Sequence, residues 1–152
     1  AAGARMTAGN RWLRQPGRIA LMLPAAELQL FADTVVGELA LAGAGPAIIA
    51  ETLHHNRLDG LAGRAPWTLS RGERQRLLHA ALDVIEPSVM ILDEPGQGLD
   101  PEDLADLGAT IRARAELGRA YLIATHRHEL AALAHRHLRI AGGRVEEVER
   151  AS

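Results

Sequence analysis

Short unbroken apolar runs alternate along this chain with longer stretches whose apolar residues recur every three or four positions. Residues 19–23 are such a run, directly after the turn Gln15-Pro16-Gly17, and they predict a buried strand. Residues 34–53 predict a helical region broken near Gly43-Ala44-Gly45-Pro46, and residues 58–67, with glycines and a proline, predict irregular chain. From Ser70 the period becomes helical, with Leu77, Leu78, Ala81, Leu82 and Ile85 on one stripe until Glu86-Pro87 stops it. Residues 89–92 are too short and too β-branched for a helix and predict a second strand. Pro101 opens a helix through Leu104, Leu107 and Ile111 that ends near Gly118. Residues 121–125 predict a third strand, a helix carrying Leu130, Leu133 and Ala134 follows, and residues 138–148 predict a hairpin around Gly142-Gly143.

Short apolar strands separated by helices imply an α/β fold, a mostly parallel sheet covered on both faces. Functional groups in such sheets gather at the carboxyl ends of the strands. Asp93, Glu94 and His126 fall there. At 152 residues, with no repeat or linker, the chain reads as one domain with an α-helical insertion. A formal net charge of -2 supplies no field that would draw in nucleic acid or an anionic bilayer. Cysteine is absent, which excludes disulfides and thiolate metal sites. The most apolar stretch, residues 34–53, is interrupted by Glu38, Pro46 and glycines, so it falls short of the ~20 apolar residues of a spanning helix. The first residues lack the basic head and apolar core of a signal peptide, so a cytoplasmic location is expected, with membrane association only through a partner.

Asp93 and Glu94 are adjacent carboxylates at the end of a buried strand, and like charges there resist joint ionisation unless a cation or proton compensates. In a phosphoryl-transfer site Mg²⁺ is that compensation, with Asp93 on the metal and Glu94 polarising or deprotonating the attacking water. Alone, Asp93-Glu94-Pro95 more often simply ends a strand and starts a loop. Ser70-Arg71-Gly72-Glu73 opens a helix, where free N–H groups and the macrodipole favour an anion. A capping box explains Ser70 and Glu73 but leaves Gly72, which costs helix stability, without a reason. The seven histidines show no metal-ligand spacing, and His135-Arg136-His137 reads as a solvated helix face.

In order and spacing, Leu69-Ser70-Arg71-Gly72-Glu73-Arg74-Gln75-Arg76, the strand ending in Asp93-Glu94-Pro95, and Gly98-Leu99-Asp100 resemble the signature motif, Walker B strand and D-loop of ABC-type ATPases. The resemblance implies a P-loop-NTPase-like sheet with an α-helical signature subdomain at residues 34–87 and core-sheet portions at 1–33 and 88–152. It implies ATP and Mg²⁺ as ligands, Asp93 on the metal, and Glu94 and His126, the switch histidine, at the reacting end. Ser70, Arg71, Gly72, Glu73 and Asp100 would face nucleotide held by a second ABC ATPase domain. Residues 27–35, with Gln29-Leu30-Phe31, resemble the segment after the Q-loop in energy-coupling-factor and cobalt-type importer subunits, where the helical subdomain meets an integral membrane subunit.

Several departures accompany the resemblance. No G-x-x-x-x-G-K-[ST] occurs, and the chain contains no lysine, so the family's P-loop portion is not represented. Residues 3–13 look like the stretch after the P-loop helix. Pro24 stands where the family has its Q-loop glutamine, Arg71 replaces a small residue of the signature, and Gly96-Gln97 replaces the usual Thr/Ser pair. The leading expectation is therefore an ATP-binding subunit of an ABC transporter, importing a metal ion or vitamin, whose chain alone is inactive. A non-hydrolysing partner that offers its signature surface to another chain's P-loop, and a DNA-repair or chromosome-maintenance ATPase head, are the alternatives. The latter conflicts with the lack of sustained a/d heptads.

Overall fold

The computed structural model describes residues 19–148; the stretch expected to follow a P-loop helix, residues 3–13, lies outside the described residues. Strands β1 (Ile19–Met22), β2 (Val89–Asp93) and β3 (Ala120–Ala124) form a parallel sheet in the order β1-β2-β3. Helices α1 (Val35–Leu41), α2 (Pro46–His55) and α3 (Arg71–Val84) stand between β1 and β2, and α4 (Pro101–Glu116) connects β2 to β3. A single turn, α5 (His128–Ala131), leads to a separate antiparallel hairpin of β4 (His137–Ala141) and β5 (Arg144–Val148). The helix expected through Ala134 thus stops at Ala131. His135-Arg136-His137 is not a helix face either: Arg136 makes a bidentate pair with Glu147 across the hairpin, and His137 begins β4.

The register aligns Ala20, Met90 and Tyr121 in one row and Met22, Leu92 and Ile123 in the next. These rows pack with Leu78 of α3, Leu104, Leu107 and Ile111 of α4, and Leu130 of α5 into one apolar cluster. The alternate rows, Ile19-Val89-Ala120 and Leu21-Ile91-Leu122, face the other way. Ile19 is 68 % exposed and Leu122 55 %. Expected coverage on both faces is therefore realised on one face among the described residues. The strands are apolar on both sides, as two-sided burial requires, but the described helices that bury the sheet pack on one side.

Helix α3 is the wall shared by two clusters. Leu78 joins the sheet cluster, whereas Leu77, Ala80 and Ala81 pack with Val35, Leu39, Leu53 and Leu58 of the α1–α2 region. Its start is fixed by a complete capping box: Ser70 Oγ accepts from the Glu73 amide and Glu73 Oε2 accepts from the Ser70 amide at 2.7 Å. Asp100 caps α4 by accepting from the Asp103 amide at 2.8 Å, and Pro101 occupies its first position.

Near its end α3 carries a buried polar group. His79 is buried, and Asp83 accepts from Arg114 Nη2 at 2.5 Å and from Arg119 Nη1. Burial pushes the His79 imidazole down to about 4, against the pull of the Asp83 carboxylate. An unfolded histidine titrates near ~6.5. As pH falls below that value the unfolded chain takes up a proton at His79 that the folded chain refuses until about 4. Stability should therefore decline by up to ~1.4 kcal/mol per pH unit across that window. Urea unfolding at a series of pH values tests this, and His79→Gln should flatten the slope; an unchanged slope would contradict it.

Candidate functional site

The carboxyl ends of β2 and β3 bring together side chains 31 and 32 positions apart in sequence. Asp93 pairs in register with Ala124 at the last rung, and the Glu94 amide donates to the Ala124 carbonyl at 2.8 Å. Glu94 then leaves the strand with φ 48, in the left-handed region where a non-glycine residue costs about 1–2 kcal/mol. This bend points its side chain along the sheet end toward β3. Glu94 Oε1 lies 2.9 Å from His126 Nδ1, and Thr125 Oγ1 donates to Glu94 Oε2 at 3.4 Å. Thr125 Oγ1 in turn accepts from the Arg127 amide at 3.0 Å, which fixes the turn that carries His126. The His126 ring is 74 % exposed while Glu94 is 26 % exposed, so a half-buried carboxylate is held by an imidazole open to solvent. Such a pair can take a proton from a water molecule and pass it to bulk.

Asp93 is half-buried, and its carboxylate has no hydrogen-bond or ion-pair partner among the described residues. Nor do three His, Asp or Glu side chains converge as a metal cage among them. A lone free carboxylate at a strand end fits Mg²⁺, which uses one or two carboxylates and completes its shell with water and phosphate oxygens. Mg²⁺ held there would supply charge compensation for the adjacent carboxylates and for phosphate oxygens.

The second set of expected residues gathers around the start of α3. Gly72 faces the loop before α4: a Cβ there would meet Asp103 Oδ2 at 3.5 Å and Leu99 Cδ2 at 3.8 Å. Those are ordinary contact distances, so packing alone does not require glycine at this position. The hydrogen bonds from the Ser70 amide and hydroxyl region hold the Glu73 carboxyl below its usual range, so both side chains are engaged in the cap. Arg71 is exposed and lays its stem over Gly98, where an added Cβ would sit 2.6 Å from Arg71 Cδ. Gly98 also has φ 80. Gly98→Ala should cost about 1–2 kcal/mol, mostly from the backbone, because the arginine stem can swing away. The double change Arg71→Ala/Gly98→Ala should recover less than about 0.5 kcal/mol in a denaturant cycle. Full recovery would show that side-chain overlap, not φ, dominates.

The two sets are linked by a residue that sequence reasoning did not single out. Gln75, 2 % exposed within the apolar stripe of α3, donates through Nε2 to the Pro95 carbonyl at 2.9 Å. The signal was available, since a polar amide on the buried side of a helix needs a partner. Thr125 was also missed; its position directly before His126 was the only hint. Arg76 adds an ion pair from α3 to Asp103 of α4 at 2.5 Å. Pro24 follows β1 at the same end of the sheet as Asp93 and Glu94 and offers no side-chain donor or acceptor. Clefts of about 300 Å³ between α3 and α4 and about 400 Å³ between α4 and α5 are lined by residues other than Glu94 and His126.

No family profile matches the chain. It is 37 % identical over 113 residues to the energy-coupling factor transporter ATP-binding protein EcfA of Methanoculleus marisnigri, an alignment covering 68 % of this chain and 41 % of that protein. It is 32 % identical over 129 residues to the nickel import ATP-binding protein NikO of Rhodobacter capsulatus, covering 76 % and 50 %. The chain therefore spans about half the length of these curated relatives or less. Among solved structures, cbiO1 from Clostridium perfringens, part of the ABC transporter complex cbiONQ, superposes with a TM-score of 0.68 at 27 % identity, covering 84 % of this chain and 55 % of that one.

Proposed function

We propose, from the premise that this chain belongs to the ABC-type ATPases, that it supplies the Walker B, signature and switch-histidine portion of a transporter ATP-binding subunit. The observation that carries this reading is the Glu94–His126 contact at 2.9 Å across the ends of adjacent parallel strands, beside a free Asp93. In this reading ATP rests on a P-loop, Asp93 holds Mg²⁺, and Glu94 takes the proton of the attacking water while His126 orients and stabilises the carboxylate. Ser70, Gly72 and the unpaired first amides of α3 receive the γ-phosphate of nucleotide carried by a second, facing ABC ATPase domain, with Arg71 alongside and Glu73 holding the loop. Asp100 shapes the loop against which that surface rests.

In this proposal residues 34–87 act as the helical signature subdomain, the described parts of 1–33 and 88–152 belong to the core, and the segment 27–35, with Leu28 and Phe31 exposed, meets an integral membrane subunit. The similarity to the nickel-import protein supports import of a metal ion; a vitamin as the alternative cargo, and a place on the cytoplasmic face of the membrane through partner subunits, belong to the same proposal. Among the described residues no helix is long and apolar enough to cross a membrane.

The test is steady-state, Mg²⁺-dependent ATP hydrolysis by this chain joined behind the P-loop-bearing half of a relative such as EcfA. Turnover above the background of that half alone supports the reading; a folded, nucleotide-binding hybrid without turnover overturns it. The second outcome would favour the other reading that specific residues support, a non-hydrolysing subunit. Pro24 at the Q-loop position and Arg71 in the signature point that way.

A further inference from the structure

Glu94 precedes a proline, a position that steric contact with the proline ring drives toward extended backbone, yet its φ is 48. A bend so far from local preference persists only where its surroundings over-determine it. Here they do. The Glu94 amide is tied to the Ala124 carbonyl of β3, and the Glu94 carbonyl accepts from the Gln97 amide at 3.0 Å. A further bond comes from outside the strand ends: the Gln75 side chain, buried on α3, donates to the Pro95 carbonyl. Pro95 is itself fully buried. The next residue, Gly96, is pressed against the core, since a Cβ there would sit 2.8 Å from Leu104 Cδ1 and 3.3 Å from Leu130 Cδ1. Among the described residues Gln75 is the only side chain hydrogen-bonded to the backbone of residues 94–97.

An amide on the buried side of a helix costs free energy unless it is bonded, and an apolar residue would fill the place without that cost. The bond Gln75 makes fixes nothing in α3 itself, because Pro95 lies 20 residues away. What it fixes is the peptide after Glu94, and with it the direction in which the chain leaves β2. That direction brings Glu94 Oε1 to 2.9 Å from His126 Nδ1. We propose that Gln75 is a positioning residue for Glu94: from α3 it holds the turn that aims the carboxylate at His126. The same helix opens with the Ser70-capped turn proposed to receive nucleotide from a facing domain, so one rigid element serves that surface and sets the carboxylate of this chain's own half-site. The catalytic consequence rests on the functional reading above; the aiming of Glu94 does not.

The experiment starts from the ¹⁵N-labelled 152-residue chain. The Gln75 side-chain amide protons should exchange with solvent at least about tenfold more slowly than those of the exposed Gln97; equal exchange would overturn the proposal without any variant. Gln75→Met keeps the length of the side chain and its place on α3 but removes the donor. It should speed exchange of the Glu94 amide roughly tenfold and move the His126 ring ¹⁵N resonances. A merely structural bond would lower the unfolding temperature and leave both signals in place, and that result in folded Gln75→Met would overturn the positioning role. Gln75→Asn, which draws the amide back by one methylene, replaces the methionine variant if that does not fold and is read the same way. In the chain joined to a P-loop-bearing half, Gln75→Met should lower kcat about 10- to 100-fold while KM for ATP changes less than about twofold. A raised KM at unchanged kcat would contradict aiming. The measurements on the chain alone involve no nucleotide, so a joined wild type without turnover overturns the functional reading and leaves the positioning of Glu94 standing.

Discussion

Glu94→Gln, made in the chain joined to a P-loop-bearing half, should lower ATP turnover roughly 10²- to 10⁴-fold while leaving nucleotide affinity nearly unchanged. The amide keeps the size of the side chain and can still meet Thr125 and His126, so the geometry of the β2 and β3 ends survives. What disappears is the proton acceptor. Asp93→Asn is the informative control, because it removes the free carboxylate proposed for Mg²⁺ and should weaken Mg²⁺-dependent binding as well as turnover. Equal and small effects of both changes would return the pair to a plain strand terminus.

Asp83→Ala should destabilise the fold by about 3 kcal/mol, equivalent to a fall in unfolding temperature of roughly 10 °C. Burial alone would raise the Asp83 carboxyl, but the hydrogen bond from Arg119 and the charges of Arg119 and Arg114 outweigh it and hold it below its ordinary value. Arg119 is 9 % exposed at its side chain, and removing its partner leaves a cation stranded between α3 and β3. Arg114, 44 % exposed, can turn to water and contributes less. Asp83→Asn, which keeps an acceptor, should cost less than the alanine. A loss below about 0.5 kcal/mol would mean that solvent compensates Arg119.

The fold was legible where the period was clean. Residues 71–84 repeat apolar positions at helical spacing behind a Ser-x-x-Glu cap, and α3 follows that pattern with both cap bonds made. Val89–Asp93 and Ala120–Ala124 read as strands because each is short, apolar and bounded by turn residues. Residues 128–137 misled because leucines and alanines after a helix start look periodic, while the cross-hairpin pair Arg136–Glu147, which draws the chain away, is a contact invisible in local sequence. The open face of the sheet was equally hidden: an apolar strand signals that both sides want cover, not which residues supply it.

The strand-end rule for parallel sheets placed Asp93, Glu94 and His126 at one end of the sheet before any coordinate, and the family resemblance supplied their roles. The left-handed bend at Glu94, the Thr125 hydroxyl beneath it and the Gln75–Pro95 bridge all depend on elements meeting in space. Likewise Glu38 reads as a lapse in the apolar stripe of α1 until its two amide partners are seen.

In the proposed division of labour the phosphates of ATP are gripped by P-loop amides and lysine, while this chain contributes the groups that act on nucleotide once gripped. Isothermal titration of Mg-ATP into the 152-residue chain by itself tests that division most directly. The predicted result is no saturable heat at millimolar nucleotide. Saturable micromolar binding to the chain alone would contradict it.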